Sequence, residues 1–378
     1  NYYLATHPQV HPRVLTRFEP WMALSFTEGS IGGDIERIDL GELEKFYSGK
    51  RTIAAIEKDG DPTGSNGIAI APAITRDGNA LLLINPHTSF FFRSELQMTS
   101  NDGLNAYGAV TWGQFFIYQG FNDHTGWMHT SSGVDVVDEF AEKVERKGKA
   151  FCYRYGKDCR PVALRPVTVR YRKADGTVAS RDFQTFRTHH GPIVREANGR
   201  WIAFSMMDRP VTALEQSFRR TKTDDLSSFL KVADRKSNSS NNTIFASDKG
   251  EIAYLHPQFV PRRDDRFDYE KPVDGSDPAT DWGLLHALSE LPNVMNPPNG
   301  WVQNTNTWPY RAAGPNSPDP KAFPKYMDIF GENWRGVHAL QLLTGSKDWT
   351  LDKLQAAAFD SHQPGFPHLI PLVVKRSD

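Results

Sequence analysis

Two textures alternate along the chain. From residue 1 to 47 apolar positions recur at helical spacing between prolines, and the stretch 37–49 (RIDLGELEKFYSG) predicts a helix that Gly49 ends. Residues 48–64 lose that period and close on DGDPTG, the composition of an exposed linker. Short runs rich in β-prone residues follow: SNGIAIAPAIT (65–75), NALLLINPH (79–87) and NAYGAVTWGQFFIYQGFN (105–122). The segment 162–188 predicts a hairpin turning at Asp175-Gly176, and 241–260 a second one turning at Lys249-Gly250, with a helix over 224–237 between them. Residues 256–330 are rich in Pro, Asp and Gly and read as long ordered loops; GVHALQLLTG (336–345) and TLDKLQAAAFD (350–360) return to helical spacing. Hairpins with few interleaved helices predict an α+β fold rather than a doubly wound sheet. There is no internal repeat and no low-complexity segment.

Composition narrows the class. The 378 residues are 39% apolar and 24% charged, enough to bury a sizeable core. A net charge of −1 speaks against nucleic acid or an anionic membrane as partner, since both select basic surfaces. No uncharged apolar run approaches a membrane span. Cys152 and Cys159 leave two readings open: a hairpin disulfide suited to an oxidising compartment, or two free thiols at strand ends. Their spacing fits no zinc or redox motif. The opening NYYLATHPQVHPRV has no signal-peptide pattern and reads like the interior of a longer gene product.

Common catalytic signatures are absent: no HExxH, no P-loop, no Rossmann glycine fingerprint in context and no GxSxG elbow. One junction carries chemistry. Gly64-Ser65-Asn66 closes the linker and opens the first β run. Most Gly-Ser pairs are simply turns. Here the alternative has a physical basis, because a serine hydroxyl can attack the carbonyl of its own preceding peptide bond, and glycine there tolerates a strained backbone. Cleavage would make Ser65 a chain N-terminus whose α-amine, with a reference pKa of roughly 7.7–8.0, could take the proton from its own hydroxyl.

The sequence downstream resembles the penicillin acylase family of N-terminal-nucleophile hydrolases. The resemblance rests on Gly64-Ser65-Asn66, Asn85-Pro86-His87, the run Gly126 to Ser131 (GWMHTS) with Asp135-Val136-Val137-Asp138, the stretch Thr188-His189-His190-Gly191-Pro192, Asn296-Pro297-Pro298-Asn299-Gly300 leading to Asn304-Thr305-Asn306, and Arg335. It spans about residues 20 to 345. It implies a four-layer αββα sandwich with Ser65 at the start of a central strand. Residues 1–47 would end a first subunit, 48–64 would be a linker, and 65–378 would be the core of a second subunit, truncated at its C-terminal end.

The resemblance also implies roles. Ser65 would be nucleophile and, through its amine, base. His87 would contact that amine; a core histidine is the alternative. Ser131 would give a backbone N–H to an oxyanion hole, and Asn306 a side-chain amide, with Asn304 as its rival. Arg335 would brace Asn306. Asp135, Val137 and Asp138, with Asp34 from the first segment, match a structural calcium site, against a solvated acidic turn. No cofactor is expected for catalysis. Thr88-Ser89-Phe90-Phe91-Phe92 would border an acyl pocket, and His129, His189 and His190 would be core or pocket walls.

The implied activity is an acylase that cleaves a secondary amide of a small N-acylated molecule: a homoserine lactone, a β-lactam or an acyl-peptide. Its partners would be that substrate and the remainder of its own precursor, paired as two subunits, in the bacterial periplasm or outside the cell. Two other readings stay open: an uncut, non-catalytic binding scaffold, and an internal Ser65–His87 pair acting without cleavage.

Overall fold

The computed structural model describes residues 1–12, 15–25, 29–51, 64–87, 93–111 and 113–375. Residues 52–63 of the expected linker 48–64, and the stretch 88–92, where the aromatic acyl-pocket border was expected, lie outside the described residues.

The strand Gly64–Ile70 pairs antiparallel with Leu81–His87 on one side and Trp301–Asn304 on the other. Its period of two divides it cleanly. Ile68 and Ile70 pack with Trp301, Leu343, Trp349 and Leu354, so this face meets the helices Trp334–Leu343 and Leu351–Ala358. The other face, Ala69 with Gly67, meets Met128, Ile244 and Tyr254 of a second sheet. Gly67 is required there, because a Cβ would fall 2.8 Å from Ile244 Cγ1.

That second sheet has seven antiparallel strands, in the order Val294–Met295, Ile252–Leu255, Asn241–Ser247, Thr125–Ser131, Gln119–Asn122, Leu104–Thr111 and Arg93–Ser100. Its far face carries Trp127, Phe245 and Leu255 against Leu226, Phe229 and Ala233 of the helix Leu226–Ala233. Helices, sheet, sheet, helix is the expected four-layer order. The strands bury both faces, as layers closed on each side must.

A separate four-stranded sheet, Ile193–Ala197, Arg200–Ser205, Asp138–Glu142 and Val273–Asp274, receives the first segment. The helix predicted over 37–49 runs Leu40–Ser48; Asp39 caps it by accepting from the Gly41 and Glu42 amides, and Gly49 ends it at φ 70°. Ile38 and Leu43 pack on Val194, Ile202 and Phe204. The hairpin Ala163–Arg172 and Val178–Arg187 turns at Asp175-Gly176 as predicted. Cys152 and Cys159 are joined in a disulfide across the turn between Ala150–Tyr155 and Asp158–Pro161, which decides between the two readings of the cysteines.

The single run 105–122 is two strands. After Thr111 the chain leaves the sheet, tucks Phe116 and Ile117 fully inside, and re-enters at Gln119. Among the described residues no helix is long and apolar enough to cross a membrane.

Candidate active site

Gly64 has φ 151°, and a Cβ built on it would lie 2.9 Å from Asn306 Oδ1 and 3.3 Å from Arg335 Nη2. Only glycine fits that backbone and that space. Ser65 follows, buried, with its Oγ donating to the Gly64 carbonyl oxygen at 2.5 Å. The hydroxyl oxygen therefore lies against its own preceding peptide group. The Ser65 amide donates to Asn306 Oδ1 at 2.6 Å.

Asn306 is set by its neighbours. It sits at φ 62°, a left-handed conformation that Asn tolerates. Its backbone amide donates to Asn304 Oδ1 at 2.9 Å, and Thr130 Oγ1 donates to the same oxygen at 2.7 Å. Asn304 Nδ2 donates to the Thr307 carbonyl at 2.9 Å. The fully buried Asn304 amide is thus spent on shaping the turn, whereas the Asn306 amide reaches Ser65. Asn306 Nδ2 donates to the Ser131 carbonyl at 3.3 Å, at the exposed end of the strand Thr125–Ser131. Asn333, which caps the helix Trp334–Leu343, also donates to the Thr305 and Asn306 carbonyls.

Arg335 lies in the first turn of that helix. Its Nη2 donates to Asn306 Oδ1 at 3.0 Å, and its Nη1 to Asn66 Oδ1 at 2.9 Å and to the Ser65 carbonyl at 3.4 Å. No carboxylate pairs with it among the described residues, and partial burial lowers its pKa from the ordinary guanidinium value. The fork thus presents a cation to neutral oxygens around Ser65.

His87 stands elsewhere. Gly64 pairs with His87 and Asn66 with Asn85, so those side chains share the helix-facing side of the sheet while Ser65 points to the other. The ring Nε2 lies 3.0 Å from Asn85 Oδ1 and 3.4 Å from Asn66 Nδ2. Burial, then the charge of Arg335, lowers its pKa. The Ser65 nitrogen meets Asn306 Oδ1 where a contact from His87 was expected, and the His87 ring is linked to the junction through Asn66. Asn66 and Asn85 were not singled out from sequence. Their signal was present, since each adjoins a named residue in Gly64-Ser65-Asn66 and Asn85-Pro86-His87.

The residues expected to hold calcium do not fit that ion. Arg263, its side chain fully buried, places Nη1 2.6 and 2.8 Å from the two Asp138 oxygens and 3.5 Å from Asp135 Oδ2, while Nη2 donates to the Asp135 carbonyl. Trp282 Nε1 donates to Asp138 as well. Asp34 accepts from Ser239. Val137 is buried beside Val194 and Ile202. Calcium needs six to eight free oxygen ligands, and a guanidinium already fills the space between these two carboxylates. Burial pushes Asp135 up to about 6 and raises Asp138 as well, against the lowering charges of Arg263 and Arg37.

Comparison with known proteins gives a consistent picture. Residues 1–378 match the family model described as penicillin amidase. The chain is 24% identical over 376 residues to an acyl-homoserine lactone acylase, PvdQ, of Pseudomonas putida, an alignment covering 88% of this chain and 47% of that protein. It is 25% identical over 308 residues to an acyl-homoserine lactone acylase, QuiP, of Pseudomonas fluorescens, covering 76% of this chain and 36% of that one. A thermostable penicillin G acylase from Alcaligenes faecalis shares the fold, with a TM-score of 0.62 and 21% identity over 78% of this chain and 51% of that chain. The chain thus spans about half the length of such proteins, or less.

Proposed function

The chain belongs to the penicillin amidase family, and from that premise we propose that it is an amidohydrolase that cuts its own Gly64–Ser65 bond and then works through Ser65. The observation that carries this is the seating of Ser65. Its Oγ is 2.5 Å from the Gly64 carbonyl oxygen, and its nitrogen is held by an Asn306 oxygen that Arg335 also holds.

In the first cut Oγ adds to the Gly64 carbonyl carbon, the C–N bond breaks, and the hydroxyl proton passes to the departing Ser65 nitrogen. Water then hydrolyses the ester, leaving a Gly64 carboxylate and a free Ser65 amine. Residues 1–47 would remain as the end of one subunit, 48–64 as a linker, and 65–378 as part of the other. In turnover the amine takes the Oγ proton as Oγ attacks a substrate amide. The leaving amine departs with a proton, and water releases the acyl group from Ser65. Asn306 Nδ2 and the Ser131 backbone N–H would stabilise the oxyanion. Arg335 would position Asn306, and His87 would act from the opposite face through Asn66.

The substrate we propose is a small N-acylated molecule, with N-acyl-homoserine lactones first and β-lactams or acyl-peptides next, because the curated relatives carry the former name and the structural relative the second. The Cys152–Cys159 disulfide supports a periplasmic or secreted home. The alternation that puts His87 and Ser65 on opposite faces weighs against an internal Ser–His pair.

The test uses the full-length gene product. Intact mass and N-terminal sequencing should show a new chain starting at Ser65, and S65A should stay uncut. The processed protein should release free amine from a panel of acyl-homoserine lactones, penicillins and acyl-peptides. Wild type that stays in one piece and hydrolyses none of them would establish the scaffold reading instead. Activity in an uncut chain would establish the internal pair.

A further inference from the structure

A second cluster of chemistry-bearing side chains lies on the four-stranded sheet, away from Ser65. His189 and His190 follow the hairpin that ends at Arg187, and Asp281 reaches them from the long loop. His190 Nε2 is 2.9 Å from Asp281 Oδ1, and His189 Nε2 is 3.4 Å from the same oxygen. One ligand atom from each of the three residues lies within 4.8 Å of the others. The rear of each group is fixed. His190 Nδ1 meets Glu142 Oε1 at 2.8 Å, and Thr188 Oγ1 donates to that oxygen at 2.6 Å. His189 Nδ1 meets Tyr153 Oη at 2.9 Å, and Tyr155 Oη donates to Asp281 Oδ2. Phe140 stacks on His190 at 3.9 Å and holds its plane.

Charge sharpens the point. Glu142 has no exposed side-chain surface, and no lysine or arginine forms an ion pair with it or with Asp281 among the described residues. His190 therefore has a carboxylate oxygen at each ring nitrogen, Glu142 Oε1 at 2.8 Å from Nδ1 and Asp281 Oδ1 at 2.9 Å from Nε2. A neutral imidazole has one N–H for two carboxylates, so one of the two contacts needs a further cation. It is either a second proton or a metal ion.

We propose that this is a binding site for a divalent first-row transition metal, zinc foremost, held by His189 Nε2, His190 Nε2 and Asp281 Oδ1. Zinc bonds of about 2.0–2.2 Å set tetrahedral ligand–ligand edges of about 3.3–3.6 Å; the His189–Asp281 edge of 3.4 Å lies in that range, and the His190–Asp281 edge of 2.9 Å would lengthen to reach it. Two imidazoles and a carboxylate suit zinc and its neighbours rather than calcium or magnesium. A carboxylate behind one imidazole and a phenol behind the other are the outer contacts that fix a ligating tautomer. The centroids of the two rings are 3.8 Å apart. A remaining position faces a cavity of about 480 Å³ walled by Ile31, Ile35 and Met206, which gives an ion its entry path and a place for water. None of Ser65, Asn306 and Arg335 lines this cavity. The ion would tie the long loop to the sheet.

The experiment is metal binding, so it succeeds or fails independently of acylase activity. Full-length protein stripped with a chelator and dialysed is titrated with Zn²⁺ against a chromogenic competitor, and with Co²⁺ followed by visible absorption. One equivalent should bind at micromolar concentration or tighter, with a Co²⁺ spectrum of imidazole and carboxylate ligation. D281N and H189Q should each weaken binding at least tenfold, and Y153F about 10- to 100-fold or less. H190Q changes a buried group, so the more exposed His189 and Asp281 carry the test, with the metal-free melting temperature as a folding check. No stoichiometric binding by wild type, or binding that D281N and H189Q leave unchanged, would show that the bridge is a proton.

Discussion

Asn306→Asp separates the two halves of the side chain on which the proposed mechanism turns. The exchange keeps shape and keeps Oδ1, so the bond from the Ser65 amide and the bond from Arg335 Nη2 survive, the latter as an ion pair. Only the Nδ2 donor disappears. In the uncut chain that donor reaches the Ser131 carbonyl at 3.3 Å; in the Asp variant two oxygens face each other there. The contact is exposed, so folding should be little affected. Catalysis should suffer more, because a preorganised oxyanion donor contributes on the order of 10²–10³ in kcat, or about 2.7–4 kcal/mol. The variant should therefore melt close to wild type while kcat on a cleavable amide falls at least a hundredfold and KM changes little. Asn304→Asp is the control, since its Nδ2 serves the Thr307 carbonyl inside the turn: it should lower the melting temperature as well. Processing is followed by intact mass and turnover by amine release from full-length protein. An Asn306→Asp enzyme within threefold of wild-type kcat would remove Asn306 from the oxyanion hole.

Other outcomes follow from groups farther from Ser65. Arg263→Gln strands two buried carboxylates, and breaking such a pair costs about 3–5 kcal/mol; chemical denaturation should show that loss, while millimolar Ca²⁺ should leave the wild-type melting temperature unchanged. Burial raises Asp328 to about 7 despite amide donors from Phe330 and Gly133. A carboxyl raised in the folded state keeps its proton there while the unfolded chain loses it, so stability falls as pH rises from about 4 to 7. Asp328→Asn should flatten that fall by up to one proton in the slope of unfolding free energy against pH. Cys152→Ser with Cys159→Ser opens a short loop with a sequence separation of 7 and should cost ~2–3 kcal/mol in denaturant titrations, with no change in amide turnover.

What was legible in the sequence divides along physical lines. Local periodicity and turn chemistry predicted the Leu40–Ser48 helix and the hairpin at Asp175-Gly176, because each is specified by neighbours along the chain. The strand Trp301–Asn304 was hidden: four residues among prolines and asparagines become a strand only by pairing with Gly67–Ile70, more than 200 positions away. The break after Thr111 was hidden for the same reason, since tertiary burial of Phe116 and Ile117 overrides a run of high β-propensity. At the site, residue identities brought Ser65, Asn306 and Arg335 forward, and these three meet. His87 did not follow because strand alternation is a property of register, and one position decides which face a side chain takes. Arg263 carries no motif at all. Nothing in its surroundings in sequence announces that it reaches back to Asp138, 125 positions earlier.

Under the proposed cleavage, the contact that holds the Ser65 nitrogen in the intact chain would also suit the product. Before cleavage the Ser65 nitrogen is a peptide N–H pointing at Asn306 Oδ1. After the proposed cleavage it would be an amine with hydrogens to spare, and keeping that same bond would turn its lone pair away from Asn306 and leave it available to the hydroxyl on its own Cβ. Arg335 would then act twice under the proposed mechanism. It holds Asn306 Oδ1, and it would set a positive charge beside the new amine, with Nη1 already 3.4 Å from the Ser65 carbonyl. A like charge disfavours the ammonium form, so the amine should titrate below its reference of roughly 7.7–8.0 and be free base at neutral pH. Arg335→Met removes charge and fork together; Arg335→Lys removes the fork and keeps a charge. Both should lower kcat by loosening Asn306. Only the Met variant should move the acid limb of the kcat/KM profile to higher pH, because only there does the amine regain its proton more easily. Identical acid limbs in wild type, Lys and Met variants would mean that Arg335 serves geometry alone.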